Sequence, residues 1–272
     1  MPAFALNHMT VAGASFAELL DIARAAGARG IEARTDLAGP LFDGLDPAEA
    51  GRRLRAAGLR LFALAEVKRF NDWSDDRAGE AAALIATARA AGAEGVALIP
   101  RNDGAGLGNG ERQANLRIAL RELEPMLKEA GLKGFVEPLG FAGCALRHKQ
   151  DAVDVITALG AEDTFALVHD TFHHTLAGGG PIFAELTGMV HVSGVTDPEP
   201  TFDEMEDAHR VLVDGADRLG NVAQLRALAE AGYDGPVSFE CFAPEVHALA
   251  DPVAAIRASM AYLDGRLAAV TA

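Results

Sequence analysis

Cysteine, long apolar runs and basic side chains are all scarce in this 272-residue chain. Two cysteines, Cys144 and Cys241, cannot build a disulfide framework; they suit a reducing compartment, as small buried hydrophobes. No stretch approaches the ~20 uninterrupted apolar residues of a membrane span, so no membrane partner is expected. The opening Met-Pro-Ala-Phe-Ala-Leu-Asn-His has no basic leader ahead of an apolar run, which leads us to expect a cytoplasmic protein. With 24 basic against 39 acidic side chains the formal net charge is −15. That balance disfavours any partner held mainly through phosphate charge, nucleic acid above all. What is abundant is apolar. A chain 50% hydrophobic and 23% charged is not intrinsically disordered and can fill a large α/β core. No composition break marks a linker, so residues 1–272 read as a single domain.

One phrase recurs: an Ala/Leu/Glu/Arg-rich helical run, a glycine, then a short apolar run. Its glycines are Gly27, Gly58, Gly92, Gly131, Gly160, a weaker Gly188, and Gly232. Glycine suits the left-handed position that satisfies a helix's last carbonyls before the chain turns into a strand. The steps between these glycines are the size of a βα unit. An opening strand (Phe4 to Val11) and a closing helix (Pro252 to Leu263) complete eight strand–helix units. Continuous apolar strands imply a parallel sheet buried on both faces. An open doubly wound sheet also fits, but eight units in this length favour a closed (β/α)8 TIM barrel. Asp46-Pro47-Ala-Glu49 and Ser15-Phe-Ala-Glu18 read as helix starts. Long loops over Lys68 to Arg77, Arg101 to Gly110, Leu176 to Gly180 and Thr196 to Leu219 stand where a barrel places its site.

If the barrel closes, polar residues ending apolar strands share one mouth. Glu137 ends the fifth strand, Asp170 the sixth, His191 lies in the seventh, and Glu240 ends the eighth. Three carboxylates at a dry strand end would force protonation unless a cation joins them. One divalent ion (Mn, Zn, Co or Mg) suits this oxygen-rich set with its single imidazole and leaves positions open for substrate oxygens.

The combination Glu-Pro-Leu-Gly, Leu-Val-His-Asp-Thr-Phe-His, Val-His-Val and Val-Ser-Phe-Glu-Cys-Phe-Ala-Pro-Glu resembles the xylose-isomerase-like sugar isomerase/epimerase barrels, most closely their inosose isomerase branch. The resemblance runs over nearly the whole chain, through Ile31-Glu-Ala-Arg34-Thr, Phe70-Asn-Asp-Trp73 and Asp207-Ala-His-Arg210. It implies metal binding by Glu137, Asp170, His191 and Glu240, proton transfer by the two glutamates, and a substrate contact from His173. It also implies a small sugar or keto-polyol substrate, as in inositol catabolism; a homo-oligomer is compatible with it. Two departures, Val213-Asp-Gly-Ala-Asp217 and Ser193-Gly194, bear on the substrate rather than the metal.

Other residues admit two readings each. Arg210 orients substrate or forms a surface salt bridge. Arg34 and Glu32 contact substrate or form an ion pair across the barrel top. Asn7 and His8 end the first strand, while Phe70, Trp73 and Phe141 are either an apolar wall or core. His169 and His174 should point away from Asp170 and His173. The Gly104–Gly110 run fits no phosphate-loop register and reads as a loop, and Gly178–Gly180 reads as a hinge. Two other activities remain open: dehydration of a cyclic keto-acid or keto-inositol, sharing the enolate step, and a non-catalytic metal-binding barrel. An endonuclease reading requires more strand-end histidines and a basic surface.

Overall fold

Helix ends set the frame. Gly27, Gly92, Gly131 and Gly160 occupy the left-handed C-cap of α1 (Phe16–Ala26), α3 (Asp75–Ala91), α4 (Glu111–Ala130) and α5 (Lys149–Leu159). Gly58 and Gly232 also have positive φ, one residue beyond the C-caps of α2 (Pro47–Ala56) and α7 (Asn221–Glu230). The Ser15/Glu18 capping box and the Asp46 N-cap with Pro47 behind it both form.

The structure, a computed structural model, describes residues 2–108 and 110–269. Each strand following one of these turns joins a closed barrel in chain order: β1 (Ala3–Asn7), β2 (Gly30–Arg34), β3 (Arg60–Lys68), β4 (Gly95–Ile99), β5 (Lys133–Val136), β6 (Phe165–Asp170), β7 (Thr187–Val192) and β8 (Pro236–Phe239). All pairs are parallel, and β8 closes onto β1 through Ala3 and Pro236. The chain folds as a (β/α)8 barrel. Short α6 (Thr171–Leu176) and α8 (Pro244–His247) and a long α9 (Pro252–Ala268) complete the helices. No helix among the described residues is long and apolar enough to cross a membrane.

Two expectations are corrected. The opening strand stops at Asn7, where the Asn7 side chain accepts from the Met9 amide and starts a 3-10 turn, His8–Val11. Gly188 ends no helix: it lies inside β7, where a Cβ would come within 2.7 Å of the Ala166 Cβ and 2.8 Å of the Phe135 ring. This glycine is small because the barrel interior is full there. Ala5, Phe62, Ala63, Phe135, Val168 and Met189 form a cluster of strand residues distinct from the core under the helices. Side chains alternate along a strand, so the residues two positions beyond that layer also face inward. These are Asn7 on β1, Glu137 just past β5, Asp170 on β6 and His191 on β7. The filled barrel is the floor of the site.

Candidate metal centre

Glu137, Asp170, His191 and Glu240 each bring one ligand atom to a common point, these atoms all lying within 4.8 Å of one another, and all four are buried. Strand register explains the meeting: Asp170 pairs with His191, and His191 with Ser238, two residues before Glu240. His191 Nδ1 lies 3.3 Å from Glu137 Oε1, 3.2 Å from Glu240 Oε2 and 3.8 Å from Asp170 Oδ2. Three carboxylate oxygens and one imidazole nitrogen, convergent and buried, make a donor set that could hold a divalent ion.

The ring of His191 is held from behind. Its Nε2 donates to Glu32 Oε2 at 3.1 Å, and Glu32 Oε1 accepts from Ser238 Oγ at 2.5 Å. A carboxylate on the far nitrogen orients the ring and turns Nδ1 toward the three carboxylates of the cluster. Glu32, read from sequence as a substrate contact or one half of an ion pair with Arg34, is instead joined to the cluster through histidine.

Asp170 has two tasks. Its Oδ1 caps α6, accepting from the Phe172 and His173 amides at 2.7 and 3.1 Å, while Oδ2 accepts from Arg210 Nη2 at 2.5 Å. Arg210, only 1% exposed, also donates to Glu240 Oε2 at 2.9 Å and Ser193 Oγ at 3.0 Å, and its guanidinium lies against Phe172 and Phe242. It is no surface salt bridge. Ser193 is one of the departures noted in the sequence, and the next residue, Gly194, forms an antiparallel bridge with Val211 that carries Arg210 into the barrel. Glu240 Oε1 accepts from Arg34 Nη1 at 2.8 Å and Asn7 Nδ2 at 3.1 Å. Arg34 is further held by Asp36 and Glu66.

The two glutamates therefore differ. Burial pushes the Glu137 carboxyl up to about 7, with Glu240 and Asp170 adding to it and His191 opposing. Burial acts the same way on Glu240, but His191, Arg210 and Arg34 overcome it and hold that carboxyl well below its usual range. For Asp170 burial is likewise outweighed, chiefly by Arg210, and the carboxyl is lowered. Burial works against charge on His191, yet Glu32, Glu240 and Glu137 raise its pKa well above the ordinary value. In His173 burial prevails and lowers it.

Above the cluster opens a cavity of about 450 Å³, with Arg34, Lys68, Glu137, Phe141, His173 and Glu240 in its walls. Phe141 packs edge-on against Phe172 and His173. Of the three aromatics considered as a wall, Phe141 takes that place, whereas Phe70 is fully buried in the core and Trp73 packs against it. His8 turns away to the Ala14 carbonyl. His169 and His174 point away from the cluster, their rings 4.7 Å apart. Sequence reasoning missed Glu66 and Phe242. Glu66 was hidden because the apolar run ends at Leu64 while β3 continues to Lys68; alternation through Ala65-Glu66-Val67 was the available signal. Phe242 stood in the quoted Val-Ser-Phe-Glu-Cys-Phe motif but carried no assigned role, because only the fold brings its ring against Arg210.

Residues 20–266 match the pattern of the xylose isomerase-like TIM barrel family. The chain belongs to that family. Within it, the chain is 26% identical over 171 residues to an inosose isomerase from Bacillus velezensis, a match covering 61% of this chain and 60% of that relative. The chain thus spans under two thirds of the curated relative's length. Among solved structures it resembles a xylose isomerase domain containing protein from Salmonella typhimurium (TM-score 0.89, 25% identity, 98% and 97% of the two chains). It also resembles the IolI protein with a bound zinc atom (0.86, 20% identity, 98% of both chains) and an L-ribulose 3-epimerase (0.74, 19% identity, 100% and 96%). At those last two identities the likeness is one of fold.

Proposed function

We propose that the protein is a divalent-metal-dependent isomerase or epimerase of a ketose or a cyclic keto-polyol of the inosose kind. The observation that carries this reading is the convergence of Glu137, Asp170, His191 and Glu240 under an open cavity, with the two glutamates both beside the Nδ1 of His191. The inosose isomerase relative and the zinc-bearing and epimerase neighbours support it. All four residues would hold the ion, with Arg210 positioning Asp170 and Glu240, and Glu32 positioning His191. When bound, the ion would polarise a substrate carbonyl and make the neighbouring C–H acidic enough to lose its proton. One glutamate then takes that proton, and the other returns one at the partner carbon or the opposite face. His173 borders the cavity and orients substrate hydroxyls.

Dehydration of a cyclic keto-acid is the second reading, and Lys68 is the residue it would use. Lys68 lies on the cavity wall without a hydrogen bond or ion pair among the described residues, whereas Arg34, Arg69 and Arg210 are already paired with carboxylates. One spare cation beside this many acids favours the neutral polyol. The test is incubation of the metal-loaded protein with keto-inositols, ketoses and cyclic keto-acids in deuterated water. Deuterium at the carbon next to the carbonyl without mass loss supports the isomerase; loss of one water supports the dehydratase. Absence of exchange with every substrate leaves a non-catalytic metal-binding barrel.

A further inference from the structure

A second cavity, of about 180 Å³, lies behind His173, between the start of α5 and the end of α6. Lys149, the first residue of α5, borders it and is nine-tenths buried. No carboxylate accompanies this amine. The one carboxylate in the cavity wall, Asp170, is committed to Arg210 and the α6 amides. The partner of Lys149 Nζ is His169 Nδ1, at 2.7 Å.

The hydrogen-bond directions can be worked out. Gln224 Nε2 lies against three oxygens, those of Thr171, Thr175 and Leu219, so it is the amide donor and Gln224 Oε1 faces His169 Nε2 at 2.8 Å. His169 Nε2 therefore carries the proton, and Nδ1 offers a lone pair to Lys149. One Lys149 N–H is used; the remaining valences of the nitrogen have no partner among the described residues. Burial pushes this amine down to about 7, and burial together with the Lys149 charge holds His174 down to about 4.

The wall also holds a second cation, Arg147, whose guanidinium donates to the Gly140 and Leu176 carbonyls. No side chain caps the N-terminus of α5, and uncapped first-turn amides attract anions. The Nδ1 of His173, a residue 4% exposed that borders both this cavity and the larger one above the cluster, has no hydrogen-bond partner among the described residues. A water takes about 30 Å³ of liquid, so the space admits a small tetrahedral or planar ion.

We propose that this cavity binds a small oxyanion, a phosphate or carboxylate group, with the Lys149 ammonium as counter-charge and the first-turn amides of α5 and His174 beside it. The group is either a free ion or the acidic end of a ligand, and the shared wall at His173 makes the site adjacent to the metal mouth in both cases. This is independent of the reaction proposed above.

The test is a titration of the metal-loaded protein with inorganic phosphate and with acetate at constant ionic strength, read by phosphorus NMR relaxation and by melting temperature. Saturable binding at one site is expected, weakened at least tenfold in Lys149→Met, which keeps the length and loses the charge. His174→Asp supplies a tethered carboxylate and should abolish phosphate binding without lowering the melting temperature. It decides the matter if Lys149→Met fails to fold. A parallel titration with a ketose phosphate and its parent ketose separates the sources: a Lys149-dependent gain from the phosphate marks the acidic end of a ligand, and no gain marks a free ion. Absence of saturable phosphate or acetate binding, or binding unchanged in a folded Lys149→Met or His174→Asp protein, overturns the proposal.

Discussion

Loading the proposed metal centre should expel protons, and the number can be worked from the cluster. Without metal, His191 holds protons on both nitrogens, because Glu32 faces Nε2 while Glu137 and Glu240 face Nδ1. A metal takes the Nδ1 lone pair, so one proton leaves; the Nε2 proton stays with Glu32. Glu137, pushed up to about 7, is protonated below that pH and must also ionise to bind. Glu240 and Asp170 are held ionised and release nothing. The sum lies between one and two protons released around neutral pH, nearer two below pH 7 and nearer one above it. Apparent affinity therefore rises with pH, by more than about tenfold from pH 6 to 7 and more gently above, since its slope equals the protons released. Calorimetric titration with zinc or manganese, in buffers of one pH but different ionisation enthalpy, reads the number directly. Release of less than about half a proton at pH 7 would refute the reasoning, because His191 would then be neutral before the metal arrives.

Three further outcomes are expected. Glu137→Gln and Glu240→Gln should each lower turnover ~10²–10⁴-fold with no rescue by saturating metal; restoration of both by metal would leave them as ligands alone. Glu32→Gln should weaken metal binding about 10–100-fold by removing the carboxylate behind His191, while the metal-free protein keeps its circular dichroism; unaltered affinity would sink the positioning role. Gly51→Ala, inside α2, would put a Cβ 2.1 Å from the Ala91 carbonyl oxygen. It should cost about 1–3 kcal/mol in urea denaturation, and a change below about 0.5 kcal/mol would contradict the close helix contact.

Much of the fold could be read from residues whose role is local. A glycine after a helix needs only its own backbone conformation, so Gly27, Gly92, Gly131 and Gly160 are read correctly from neighbours alone. Gly188 looks the same in sequence, but its constraint comes from Ala166 and Phe135 on other strands. The candidate ligands were legible for a related reason: strand alternation brings Glu137, Asp170, His191 and Glu240 inward once the barrel is granted. Glu32 and Arg210 were not legible in role, because either could pair in several directions and only the three-dimensional register selects Ser238 and His191 for one, Asp170 and Glu240 for the other. Lys149 was least visible. A lysine in a helix's first turn is ordinarily solvated; here the side chain turns inward to His169 Nδ1 and is buried.

The bridge between Gly194 and Val211 closes the chain between them into a loop pinned at its base. The loop carries local structure of its own, with Thr201 and Glu204 in one capping box and Glu206 and His209 in another. Arg210 sits on the barrel side of the pin, and the outer residues, exposed Phe202 among them, sit beyond it. Insertions into a loop whose ends are already joined cost little closure entropy, about 0.6 kcal/mol per doubling of length. The exposed stretch from Asp197 to Glu204 can therefore be lengthened, by evolution or by grafting, while Met205 stays packed beside Phe172 and Arg210 keeps the carboxylates it holds. The barrel mouth and the length of its outer loop become separately adjustable at this one hydrogen-bonded pair.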